Sequence, residues 1–513
     1  MRRMAWRFWS TVFAAVMCLS GPAIAGEACD SSDDPVAGIA DCTKSIDSGE
    51  FRGHDLAAFY SNRAASYHAL GDKERSMADL NEAIRLDPTL AMPHNNRGAA
   101  YNEQGDNDRA IADYNEAIRL DPQLAMAFSN RGNAWSDKGD TDRAIADFNE
   151  AIRLDPKFAM AYQNRASAWH DKGDNDRAIA DYSEAIRLDP GHARAFFGRA
   201  TVYSDKDDND RAIADFNEAI RLDPQSAIAF DRRGVAWHDK GDNDRAITDY
   251  NEAIRLDPKR ARAFNHRGGA WLEKDNAARA IDDYSAAIHL DPEDASSLFG
   301  RALAYGVSGD LDRAIADYDA AIKLDPKSGK FVAARGDAYR AKGDNDRAFA
   351  DFNEAIRLNP KSALGYFGRG RLYFLTGSFE KALTDFQQAN AIVPDNAYVV
   401  LWLDIAARRG NVPSRLAQAS SQLDMKVWPV PVIRLLMDQA TPADVIAAAD
   451  NPDATKKRGQ VCEVNFYSAE LSLSRGAKDE ATHLFRLAAG DCPHAFAEWD
   501  AAVAELKTLG VAP

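Results

Sequence analysis

The sequence predicts an all-α protein built as a stack of helical hairpins, an α-solenoid, and three observations carry that expectation. First, prolines stand at 88, 122, 156, 190, 224, 258, 292, 326, 360 and 394, each 34 residues after the last. A fixed period of that size marks stacked repeats, not the several globular domains that 513 residues would otherwise suggest. Second, every period divides into two helical stretches separated by a Gly-Asp type turn and closed by proline, which Asp precedes in the first eight copies. Third, small residues and rings return at fixed places in each period.

Residues 91–124 show the unit. A first helix of about 14 residues runs to the Gly105-Asp106 turn, and a second runs to the Asp121-Pro122 stop. Asp106 is placed to cap the second helix, Asp108 lies in its first turn, and Arg119 lies in its last, where each charge suits the helix dipole. Pro122 lacks the N–H that a continuing helix needs. Position 8 is always small (Gly98, Gly132, Ala166, Ala200), as are positions 20 and 27. Position 11 is aromatic (Tyr101, Trp135, Trp169), as position 24 usually is (Tyr114, Phe148, Tyr182). Small residues let helices approach, and rings fill the space between layers.

With its 34-residue period and this aromatic, Gly, Ala and Pro pattern, the stretch 57–396 resembles the tetratricopeptide repeat (TPR) family in ten tandem copies. The resemblance implies a right-handed superhelix with a concave groove lined by positions 2, 5, 6, 9, 12 and 13 of each first helix.

Two charged columns run through all ten copies: Arg at position 7, from Arg63 to Arg369, and Asp at position 23, from Asp79 to Asp385. Both approach the seam between the two helices of a hairpin. The expected role is a ladder of ion pairs that sets stacking register.

The ends differ from the middle. Residues 38–48 echo a second helix with Cys42 in the ring position, so 26–56 reads as a capping half-repeat. Past Pro394 the period fails. Residues 397–410 read as one more first helix, the stretch around Trp428, Pro429 and Pro431 departs from the pattern, and 462–495 recovers it as a degenerate repeat. A last amphipathic helix near 495–508 is expected to cover the final hydrophobic face. The C-terminal region, 397–513, also resembles the NlpI family of bacterial envelope adaptors. Trp428-Pro429, Thr441-Pro442, Glu463, Asn465-Phe466-Tyr467, Gly476, Phe485, Phe496 and Glu498 carry that likeness. It implies partners such as a carboxy-terminal processing protease or peptidoglycan hydrolases, although this chain has many more repeats and no convincing lipidation site.

Residues 1–25 read as a secretory signal peptide: Arg2, Arg3 and Arg7, an apolar stretch from Phe8 to Leu19, then Ala23-Ile24-Ala25. A periplasmic or secreted location follows, and no later run is long and apolar enough to span a membrane. Removal of Cys18 leaves Cys29, Cys42, Cys462 and Cys492, an even set whose spacing favours Cys29–Cys42 and Cys462–Cys492 among three pairings.

Net charge is −16, which argues against nucleic acid as a partner. There is no HExxH, GxSxG or GxxxxGK[ST] signature. The recurring DKGDNDRAIADYNE fails as an EF-hand because its sixth residue is not Gly. No catalytic residue, metal or cofactor is therefore expected. An envelope glycosyltransferase would need a catalytic domain for which the C-terminal stretch is too short and too helical.

Function must lie in the groove. Position 6 is Asn62, Asn96, Asn130 and Asn164 in the first four repeats, then Gly198, Arg232, His266, Gly300, Ala334 and Gly368. An amide both donates and accepts, so that column suits an extended peptide backbone. Position 13 supplies an acidic row, Glu103, Asp137, Asp171, Asp205, Asp239 and Glu273, which favours basic peptide segments. The expectation is an exported, non-catalytic scaffold that binds protein partners.

Overall fold

The computed structural model describes Cys29 and residues 34–424, 427–492 and 496–512; the expected signal peptide lies outside them. Among the described residues all regular elements are helices. The chain divides into two compact units, Met1–Arg245 and Ala246–Pro513.

In the first unit a helix Pro35–Asp47 precedes the hairpins Gly53–Ala69/Lys73–Leu86, Ala91–Glu103/Asn107–Leu120, Ala125–Asp137/Thr141–Leu154, Ala159–Asp171/Asn175–Leu188 and Ala193–Asp205/Asn209–Leu222. The helix Ala227–Asp239 follows. The second unit holds the hairpins Ala261–Glu273/Ala277–Leu290, Ala295–Val307/Leu311–Leu324, Gly329–Ala341/Asn345–Leu358 and Ala363–Leu375/Phe379–Ile392, then a C-terminal region that starts with Ala397–Arg409.

The hairpin turn is set by local chemistry. Asp106 accepts a hydrogen bond from the Arg109 backbone N–H at 3.0 Å, and Asp72, Asp140 and Asp174 cap the second helices of their own repeats in the same way. The residue before each cap is left-handed: Gly105 has φ +79°, and Asp207 and Asp275 take that conformation where the glycine is missing. Aspartate is among the few side chains that tolerate it.

The ring at position 24 is the core of each layer. Tyr114, Phe148, Tyr182 and Phe216 are each about 1% exposed. The small residue at position 8 exists because the ring lies on it: a Cβ on Gly98 or Gly132 would stand 2.7 Å from Tyr114 or Phe148. In the fourth repeat position 8 is Ala166, and the Tyr182 ring presses instead on Gly198 of the next repeat, where a Cβ would stand 2.4 Å away. Gly300 under Tyr284 and Gly368 under Phe352 seat a ring from the preceding repeat in the same way, although position 8 of that preceding repeat is glycine, Gly268 and Gly336. Glycine at position 6 thus answers to packing in those repeats. Most rings at position 11 are half-buried and capped by a guanidinium, as Arg143 caps Trp135 and Arg177 caps Trp169 at 4.6 Å from the ring centre, while Tyr67 and Tyr203 are buried and Tyr373 is faced by Lys381.

The Arg and Asp columns form a ladder with two rungs per repeat. In repeats one to five and seven to ten, Nε and Nη2 of the arginine at position 7 donate to both carboxylate oxygens of the aspartate at position 23, at 2.6–2.9 Å. The remaining Nη1 reaches position 25 of the preceding repeat, as in Arg131 to Asn115 and Arg165 to Asn149, both at 2.6 Å. Arg63 makes that contact with Thr43 at 3.1 Å, so the helix Pro35–Asp47 takes the place of a preceding second helix. One guanidinium therefore ties its own hairpin and the next one back, a planar fork that lysine could not reproduce.

The C-terminal region has the largest core cluster, built around Trp402, Phe466, Tyr467 and Phe485, all at most 1% exposed. The degenerate repeat has the hairpin Ala454–Ser474/Lys478–Asp491, whose first helix begins eight residues before the expected start at 462. Pro431 sits in the first turn of the short helix Val430–Leu436, where a missing N–H is harmless. The last helix, Ala497–Thr508, buries Ala501, Ala502 and Leu506 and pairs Asp500 with Arg340 and Arg371, residues of the first helices of repeats nine and ten. Disulfides join Cys29 to Cys42 and Cys462 to Cys492, each with Cα atoms 5.0 Å apart.

Candidate functional site

In the first unit the first helices of successive repeats leave a groove of about 320 Å³. Its wall comes from the columns the sequence assigns to a groove. Position 9 contributes Asn133, Ser167 and Thr201, position 12 contributes Asn102 and Ser136, and position 13 contributes Asp137 and Asp171. Gln163 and Phe197 enter from position 5, Arg194 and Ile228 from position 2, and Asn164, Gly198 and Arg232 from position 6. Helical periodicity puts these positions on one stripe, and the core takes the opposite stripe at positions 3, 8 and 10.

Of the four amides expected to hold a peptide, Asn164 lines this groove. It accepts from Gln163 Nε2 at 3.0 Å, while its own Nδ2 is buried with no acceptor. Asn130 and Asn96 are both hydrogen-bonded to Asn95, which accepts from Asn130 at 3.0 Å and donates to Asn96 at 3.2 Å. Asn62 is half-buried on the helix Gly53–Ala69. The column is thus not equivalent along its length, because a second amide at position 5 of repeat two ties Asn96 and Asn130 together.

The acidic row has structural partners of its own. Position 12 of one repeat reaches position 13 of the next: His68 to Glu103 at 3.0 Å, Asn102 to Asp137 at 3.0 Å, and His170 to Asp205 at 2.8 Å. Lys73 adds an ammonium group to Glu103 at 3.2 Å, and the hydrogen bond from His68 holds that carboxyl below its ordinary range. Asp171 differs. It remains accessible from the groove, but the surrounding walls thin its hydration and push its carboxyl up, with only His170 opposing. Asp239 and Glu273 are exposed at the ends of their helices. The paired cysteines lie outside the groove, one pair before the first repeat and one after the tenth.

The groove also holds residues that the acidic row did not suggest. Arg194 and Arg232 give it a basic part, and Phe197 and Ile228 an apolar one. All four stand in the columns named from the sequence; reading positions 2, 5 and 6 of repeats five and six for both charge and apolar character would have found them. Tyr182 closes the floor, with its hydroxyl 2.8 Å from Ser167 Oγ, and burial raises its phenol well above the ordinary value. Among the described residues no group of three or more His, Cys, Asp or Glu side chains is placed to hold a metal ion, and no helix is long and apolar enough to cross a membrane.

Comparison with known proteins agrees with the repeat pattern. The TPR repeat model matches residues 64–105 and 98–139, and the tetratricopeptide repeat model matches seven overlapping segments from 129 to 397. Among solved structures, the chain is similar to MamA at 27% identity, over 32% of this chain and 96% of that one, with a TM-score of 0.30. It is similar to YrrB, described as a TPR protein with an unusual peptide-binding site, at 23% identity, over 35% and 92% of the two chains, with a TM-score of 0.31. It is also similar to the Cut9-Hcn1 hetero-tetramer of the APC/C at 16% identity, over 72% and 93%, with a TM-score of 0.42. With family models matching along most of its length, on a period, a hairpin and a ring-on-glycine core that all recur from repeat to repeat, this chain belongs to the tetratricopeptide repeat family.

Proposed function

We propose that this protein is an exported, non-catalytic scaffold that holds an extended segment of a partner protein in the groove of repeats two to six. The observation that carries the reading is the groove itself. It brings together amides, hydroxyls and three carboxylates, Asp137, Asp171 and Asp223, from successive repeats, and it leaves the Asn164 Nδ2 donor buried without an acceptor. A buried amide N–H without a partner is costly, and a peptide carbonyl would satisfy it. Export is supported by the leader-like residues 1–25 and by the pairing of all four remaining cysteines.

An envelope adaptor for a carboxy-terminal processing protease or peptidoglycan hydrolases is a sharper form of the same reading. Residues that carry the C-terminal likeness touch one another: Trp428 Nε1 donates to Glu463 at 2.6 Å, and Tyr467 donates to Glu498 at 2.9 Å. Their shared role is to hold the C-terminal cap together, so in this form too the partner is expected in the groove.

The test is photo-crosslinking in the native envelope. A photoreactive residue at Ser136 or Thr201, in the groove, should capture partner peptides, and one at Arg187, exposed on a second helix, should not. Equal capture at Arg187, or capture there alone, would move the interaction off the groove and overturn the proposal.

A further inference from the structure

The groove separates its charges. Asp137 and Asp171 stand at position 13, at the C-terminal ends of the first helices of repeats three and four. Arg194 and Arg232 enter from positions 2 and 6, the N-terminal halves of the first helices of repeats five and six, and outnumber the one carboxylate there, Asp223, which follows the helix Asn209–Leu222. Phe197 and Ile228 come from the same two helices as the arginines. A uniformly basic peptide would meet attraction over repeats three and four and a net positive charge over repeats five and six, where two arginines face one carboxylate. A uniformly acidic one would meet the reverse.

Two groups in the groove call for a ligand atom of definite character. Asn164 Nδ2 has no acceptor. Glu103, Asp137 and Asp205 each face a side chain from position 12 of the preceding repeat, whereas Asp171 faces Ser136 with no hydrogen bond, and partial burial pushes its carboxyl up, which an arriving cation would relieve. The volume of about 320 Å³ is at the small end for a ligand site, room for roughly two or three side chains. Recognition must therefore be read over a short segment.

Resting on the groove reading above, we propose that the ligand is a charge-segregated peptide segment. A Lys or Arg lies against Asp171, a backbone carbonyl accepts from Asn164, an apolar side chain packs on Phe197 and Ile228, and a carboxylate meets Arg232. The order of charges along the segment is the specificity of the site. Rejection of the wrong order comes from like charges brought together in the groove, which is how charged interfaces suppress incorrect partners.

The experiment uses the protein without its signal peptide and short fluorescent peptides, C-terminally amidated so that the carboxylate is a side chain. The set is a Lys block, Phe and a Glu block; its reversal; an all-Lys version; an all-Glu version; and one of the same composition with alternating charges. One of the two segregated peptides should bind about tenfold tighter than the alternating one, a difference typical of one or two charge-assisted contacts. Arg232→Glu should shift the preference to the all-Lys peptide, and Asp171→Lys to the all-Glu peptide. Arg232→Gln and Asp171→Asn serve as milder variants that remove each charge without reversing it. Adding a free C-terminal carboxylate to the peptides distinguishes a chain terminus from a side chain as the group at Arg232.

If the all-Lys peptide binds the wild type as tightly as the segregated ones, or neither pair of variants moves the preference, the charge order is wrong while the groove reading stands. If no peptide in the set competes with partner crosslinking at Ser136 and Thr201, the charge order is likewise overturned. If that crosslinking is itself absent, the groove reading falls and takes this inference with it.

Discussion

Replacing Arg165 with Met tests what holds the repeats in register. Arg165 donates to Asp181 through Nε and Nη2, both at 2.7 Å, and to Asn149 of the preceding repeat at 2.6 Å. The Arg165 and Asp181 side chains are 19% and 11% exposed, so neither charge is well solvated. Arg165→Met leaves the Asp181 carboxylate without its main partner and cuts the bond between repeats. Breaking a buried pair on one side costs about 3–5 kcal/mol, and the residual solvent access of this pair reduces that to about 2–3 kcal/mol. Replacing both residues, Arg165→Met with Asp181→Leu, should recover most of the loss, because an apolar pair leaves no orphaned charge. Repeat arrays depart from two-state unfolding, so the assay is hydrogen exchange resolved by helix. The single variant should lower protection in Ala159–Asp171, Asn175–Leu188 and Thr141–Leu154 more than in distant repeats, since each repeat is coupled mainly to its neighbours. A single variant within about 0.5 kcal/mol of wild type, or a double variant as damaged as the single, would refute the ladder as a register device.

Two further perturbations separate packing from charge. Gly198→Ala would place a Cβ 2.4 Å from the Tyr182 ring, and overpacking of this kind should cost about 1–3 kcal/mol, read as a lower midpoint in thermal unfolding; Gly306→Ala, which meets nothing within 4 Å, is the control. Glu463, 4% exposed, faces Glu498, Trp428 and Tyr398; burial and then the Glu498 charge push its carboxyl up to about 8, against the Trp428 and Tyr398 hydrogen bonds. A carboxyl that stays protonated in the folded state but ionises in the unfolded one contributes stability that is full below about pH 4.5 and is lost as pH rises to about 8. Glu463→Gln keeps an acceptor for Trp428 and should flatten that decline in the C-terminal cap by up to a few kcal/mol; an unchanged pH profile of cap unfolding would show that Glu463 is ionised in the fold.

Much of the architecture could be read from the residues because repeat proteins encode it locally. The Asp106 cap, the Gly105 turn and the Pro122 stop each act within a few residues, and the period multiplies one weak signal tenfold. The Arg and Asp columns were legible as a pair for the same reason. Their separation of 16 residues is fixed by one hairpin, so a contact in one repeat is a contact in the others. The third donor of each arginine was not legible, because its partner at position 25 belongs to another repeat and depends on how hairpins stack.

The groove divides the same way. Helical periodicity alone assigns positions 2, 5, 6, 9, 12 and 13 to one stripe, and it needs no tertiary information. Which members of that stripe are available to a ligand is decided by neighbours that only the tertiary structure brings together. Asn95 ties up Asn96 and Asn130, position 12 reaches across to the acids at position 13, and Asn164 is left with a free donor. Gly198 looks in the sequence like a gap in an amide column, yet it is the seat of the Tyr182 ring, which reaches across from the preceding repeat. Local periodicity therefore determined the fold and the face, and packing between repeats decided the chemistry of the site. Hydrogen bonds and ring contacts follow through-space distance, which the order of residues along the chain specifies only within a single hairpin.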